Sequence, residues 1–221
     1  MIYLLFTLAV FAIAIIYLIK YHAALKNDIH YNDTLNNSNT YVLKVFVDNK
    51  IIELTNNGLV VDGHLAHIQK TGHFDELIEL LSRSIDYPKV YSNINFYGAI
   101  KSLLENKYVT PYLLTQPLLN IQILSYRKDL GYGGVYAHNI QSVGIADLIG
   151  EPSAILCCCS NIHDKQEIIR VASKWASQDL ATLAVATTED SDSSKNILIR
   201  GVRGKMMFLG LIAIQKNNNS A

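Results

Sequence analysis

A chain of 221 residues, 50% of them hydrophobic, is long enough for one ordinary domain with a buried core besides a membrane segment. Lys plus Arg equals Asp plus Glu at 19 each, so no net field draws in a polyanion and nucleic-acid binding is not expected. The three cysteines stand side by side at Cys157, Cys158 and Cys159, which rules out the spaced pairs of a disulfide framework and suits a reducing compartment.

From Met1 to Ile19 there is no charged side chain. A hydrocarbon core about 30 Å thick needs roughly 20 such residues as a helix, so residues 1–20 are expected to form a transmembrane helix. A signal peptide needs a basic start and a small-residue cleavage site. Nothing basic precedes the apolar run and Tyr21–Ala23 is a poor site, so the anchor is expected to be retained. Lys20 and Lys26 follow the span and no basic residue precedes it, which orients the rest of a single-pass protein towards the cytoplasm. Ala9, Ala12 and Ala14 are small but form no Gly-x-x-x-Gly seam for a second helix.

Residues 21–41, rich in Asn and Asp and without apolar periodicity, read as a polar linker. Two β-rich runs follow, at 42–47 and 51–55, around Asp48-Asn49, a pair that tolerates the left-handed backbone of a hairpin turn. Phe74–Ile85 and Asn95–Lys107 place apolar residues three and four apart, as amphipathic helices do, and Asp75 and Glu76 suit a first turn. "LLNIQILSYRK" and "GGVYAH" read as strands around a bend. The stretch Leu148–Glu189 reads as a loop, two helical runs and a buried strand; its second helix, "DKQEIIRVASKWASQ", is acidic at its start and has Lys174 towards its end. "LATLAVAT" and "FLGLIAIQ" are short continuous apolar runs, as fully buried strands are. Glu189–Asn196 reads as a polar surface loop and residues 215–221 as a disordered tail. No internal repeat is present. The fold class is α/β of the α+β type, with a sheet and flanking helices in one domain at 42–214.

The order of these motifs is similar to one family. "GEPSAILCCCSNI", then a helix, then "WASQDLATLAVA" and "FLGLIAIQ", resembles the closing half of the nucleotide-binding domain of P-type cation-transporting ATPases. In that family a Lys-Gly-Ala-Pro-Glu turn leads into a helix ending near a Cys, and a Leu-Gly-Leu strand returns the chain to the phosphorylation domain. "LKVFVDNKIIELTNNGLVVDG" is similar to the family's opening hairpin, and "ILSYRK" to its Phe-Ser-x-x-x-Lys segment. The resemblance covers about 42–214 and rests on order and spacing, since no single motif is intact. It implies an antiparallel sheet flanked by helices.

The departures bear on function. The family carries Asp-Lys-Thr-Gly-Thr ahead of this domain, whose Asp becomes an acyl phosphate. Here the best register places His30 at the nucleophile, and sliding it to Asp33 loses the Thr-Leu match. The chain also runs out at "IAIQKNNNSA", ahead of any second half of a phosphorylation domain that would hold Mg²⁺. No catalytic residue is therefore assigned, and neither transport nor other enzymatic activity is expected of this chain.

For nucleotide binding, the resemblance puts Ile123 at the family's adenine-stacking ring, Ile149 at its turn lysine and Ala181 at its arginine, leaving Lys128 with Gly150. A base stacked on an aromatic face contributes about 1–3 kcal/mol and each 1.4 kcal/mol is about tenfold in affinity, so these replacements weaken ATP binding by powers of ten. Tyr126, Tyr132 and Tyr97 are alternative rings. The candidate, degenerate nucleotide set is Lys128, Gly150, Ser125, Ile123 and Tyr126, with ATP as the implied ligand.

Other constellations have simpler readings. Neighbouring cysteines on a helix do not face one another, so Cys157–Cys159 are read as small buried residues at a helix end. Glu151 and Ser153 beside Pro152 mark a helix start. His64, His67, His73 and Asp75 are metal-ligand types without a standard spacing, and no metal is assigned. Gly131–Gly134 lacks the Lys-Ser/Thr of a phosphate loop and reads as a glycine bend. Ser125, His138 and Asp147 make a triad on paper only, with no nucleophile elbow.

Two functions follow as expectations. One is a membrane-anchored, inactive copy of a transport ATPase's nucleotide domain, acting by contact with a membrane protein such as the ATPase itself. The alternative is a non-hydrolysing nucleotide sensor.

Overall fold

The structure, a computed structural model, describes residues 40–55, 58–61, 64–65, 73–92, 94–109, 118–139, 141, 143–160, 162, 164–190 and 204–216. The expected transmembrane helix, most of the linker, His67 and residues 217–221 lie outside them. Among the described residues no helix is long and apolar enough to cross a membrane.

The first hairpin forms where the Asp-Asn pair predicts it. Strands β1 (Thr40–Val47) and β2 (Lys50–Thr55) meet at Asp48 and Asn49, whose φ angles of 51° and 58° give the two left-handed residues of a tight hairpin turn. Lys44 and Glu53 face each other across the ladder and their side chains pair at 2.7 Å. β3 (Gly58–Val61) and β4 (His64–Leu65) continue the meander. A second meander runs through β5 (Leu119–Arg127), β6 (Tyr132–His138), β7 (Gly144–Gly150), β8 (Ala181–Asp190) and β9 (Met207–Lys216).

β9 pairs with β1 and joins the two meanders into one sheet of order β4-β3-β2-β1-β9-β8-β7-β6-β5, antiparallel throughout. β9 thus sits at the centre. Its run Leu209–Ile214 and the neighbouring Leu183–Ala186 of β8 are buried on both faces, which is why they read as unbroken apolar segments rather than alternating ones.

Two helical layers produce that double burial. α1 (His73–Ser84) buries Phe74, Leu77, Ile78, Leu80 and Leu81, the stripe that three- and four-residue spacing makes. It lies on one face with α2 (Ile94–Leu104), which packs on β1. On the other face, α3 (Pro152–Cys158) begins with Pro at its first turn, and α4 (Lys165–Ala176) is capped by the Asp164 side chain, which accepts the Glu167 N–H at 2.9 Å. Ile155, Leu156, Ile168, Val171 and Trp175 of these helices close over Phe46, Tyr136, Leu148, Ala184 and Leu211 of the sheet. The sheet and its helices form one compact α+β unit, an antiparallel sheet flanked by helices.

Several boundaries differ from the expectation. The strands run two residues past 42–214 at each end, and β8 extends through Glu189–Asp190 into the expected surface loop. α2 stops at Leu104, where Asn106 turns back to accept the Tyr108 N–H. The larger difference is β7. Leu148–Gly150, read as loop, ends a seven-residue buried strand, hidden in the sequence by an Asp in mid-strand and glycines at both ends.

Candidate functional site

The five residues of the sequence-derived nucleotide set occupy the β5 edge and one end of the adjoining strands. Ile123 and Ser125 lie exposed on β5, and Lys128 is exposed in the hairpin turn that follows. Arg127 and Asp129, on either side of Lys128, pair with each other, and this contact raises the pKa of the guanidinium and lowers that of the carboxyl. Gly150 ends β7, opposite Tyr132 of β6 and Ala184 of β8. The hairpin turn therefore brings Lys128 to the same end of the sheet as Gly150, while Ile123, paired with Val135, sits further along the ladder.

Contacts at that end are internal. The Tyr126 hydroxyl donates to Glu151 Oε1 at 2.9 Å, and partial burial, followed by the bond to and charge of Glu151, raises the phenol's pKa. The Glu151 N–H donates to the Gly131 carbonyl at 2.8 Å. A Cβ on Gly150 would lie 2.3 Å from that same carbonyl oxygen and 2.5 Å from Tyr132 Cβ, so this glycine serves close packing of hairpin against strand. Ile149 is buried within β7 and Ala181 begins β8 on the surface; neither supplies the cation that the resemblance calls for.

The remaining sequence candidates separate. Asp147 is buried and spends its carboxylate on Arg83 and Thr187, so it does not orient His138 towards Ser125. Among the described residues no three His, Cys, Asp or Glu side chains converge to hold a metal; His73 pairs with Asp48, and His64 is exposed on β4. The cysteines are only partly the buried residues expected. Cys158 is buried, Cys157 is exposed because it projects from the outer side of α3, and Cys159 lies beyond the helix in a bridge to Met206. The thiols of Cys158 and Cys159 donate to the carbonyls of Ala154 and Ile155. Burial, with a smaller contribution from Cys158, pushes the Cys159 thiol up to about 12, which removes the thiolate that nucleophilic chemistry needs at neutral pH.

A polar cluster missed in the sequence occupies the α1 face. Arg83 Nε and Nη2 donate to the two Asp147 oxygens at 2.8 and 3.0 Å, Nη1 donates to Glu79 at 2.9 Å, and the Thr187 hydroxyl donates to Asp147 at 2.7 Å. Burial lowers the Arg83 pKa, but its bonds to and attraction by Asp147 and Glu79 outweigh that and hold it above the usual arginine value. The cluster floors a cleft of about 670 Å³, whose rim carries Glu76, Asn139, Gln141 and Met207. Arg83 is outnumbered by its two carboxylates, Asp147 and Glu79, and Glu76 adds a further negative charge, so the cleft has an acidic bias that disfavours a phosphate. The Glu79–Arg83 spacing was visible as an i,i+4 pair. Asp147, 64 residues from Arg83, carried no local signal. A second cleft, about 200 Å³, lies between Phe46, His73, Asp164 and Phe208. None of the five nucleotide candidates lines either cleft.

Compared with known proteins, the chain matches no family model and has no significant match among curated proteins.

Proposed function

We propose that this chain is a catalytically inactive relative of the nucleotide-binding domain of P-type cation-transporting ATPases, tethered to a membrane through residues 1–20, with its domain on the cytoplasmic side, and acting by contact with a membrane protein. The antiparallel sheet with helices on both faces is the architecture that the motif order implies. Thr40 and Lys216 are register partners on adjacent strands. The chain therefore enters and leaves the domain side by side, as a domain inserted into a second one must.

The observation that carries the inactive reading is the packing at Gly150. In the family that turn presents a cation and backbone to the nucleotide; here the Gly131 carbonyl and Tyr132 fill the approach, Glu151 holds Tyr126, and Ile149 is buried. Lys128 alone remains exposed as a cation from the expected set.

Calorimetric titration of the detergent-solubilised full chain with ATP and ADP tests this. Binding that is absent or millimolar agrees with a contact role. Micromolar binding lost in Lys128→Ala would replace it with the nucleotide-sensor reading.

A further inference from the structure

We draw no further inference here: the strongest candidate, the cleft of about 670 Å³ between α1, the β6–β7 connection and the β8–β9 strands, rests on the surplus negative charge of Glu76 and Glu79 beside an Arg83 already bonded to Asp147, and nothing in the structure shows what fills it.

Discussion

Arg83, in the last turn of α1, reaches across to β7 and holds both carboxylate oxygens of Asp147, a residue only 2% exposed at the middle of its strand. The pair fixes α1 on the sheet and lets an Asp occupy a position that strand propensity disfavours. Removing one partner leaves a buried charge unpaired, which costs about 3–5 kcal/mol. Arg83→Met should therefore lower the urea unfolding free energy by that amount, and Asp147→Leu by a similar amount. The double variant should recover most of the loss, because two apolar groups of similar volume leave no charge stranded. A double-mutant cycle in urea checks it; additive losses would mean that the contact does not couple the two residues.

Gly133 and Gly150 admit backbone where a side chain would collide. A Cβ at Gly133 would lie 2.3 Å from the Val90 carbonyl oxygen and 2.9 Å from the Tyr126 nitrogen, both main-chain atoms that cannot step aside. Overpacking of this kind costs about 1–3 kcal/mol. Gly133→Ala and Gly150→Ala should each lower the urea midpoint in the absence of any ligand. An unchanged midpoint in Gly150→Ala would show that the β5–β6 hairpin can move away from β7, against the 2.3 Å approach of the Gly131 carbonyl.

How far the sequence went depended on whether the deciding contact was local. The Asp48-Asn49 hairpin, the α1 and α4 stripes and the buried runs of β8 and β9 each write their periodicity into adjacent residues, and all were legible. β7 was not, because Asp147 is paid for by an arginine on a distant helix and Gly144 and Gly150 imitate loop ends. The polar cleft was hidden for the same reason: it draws on α1, the β6–β7 connection and the β8–β9 strands, which no spacing rule joins. Ile123, Ser125, Lys128 and Gly150 were assigned by the order of motifs alone. That order has no means of showing that Glu151 bonds Tyr126, or that the Gly131 carbonyl fills the space beside Gly150.

Trp175, the single tryptophan, is buried under α4 against the sheet, so its emission reports the docking of that helix. Asp164 caps α4 by accepting the Glu167 N–H, and loss of such a cap costs about 1 kcal/mol. Asp164→Ala should lower stability by about that amount with native emission unchanged. Trp175→Phe should cost more, because it leaves part of a large buried volume empty. Urea melts followed by far-UV circular dichroism compare the two; an equal or larger loss from Asp164→Ala would place the helix's stability in its cap rather than its buried face.

The three adjacent cysteines should behave as three different groups. Cys157 is exposed on α3, Cys158 is buried with its thiol on the Ala154 carbonyl, and the half-buried Cys159 has its thiol pushed up to about 12 by burial. The thiolate is the attacking species in alkylation, so the burial of Cys158 and the raised pKa of Cys159 leave exposed Cys157 as the thiol within reach of the reagent. Brief treatment of the native protein with iodoacetamide at pH 8 should label Cys157 alone, and unfolding in urea should expose all three, as peptide mass mapping would show. The same shift fixes a stability trend. Cys159 has its folded pKa raised above the usual 9.0, so its contribution is complete below about pH 9 and is lost as pH climbs towards 12. Cys159→Ala should flatten that part of the pH–stability curve. Labelling of Cys159 at pH 8 at the same rate as Cys157 would show that the residue is more open than its burial implies.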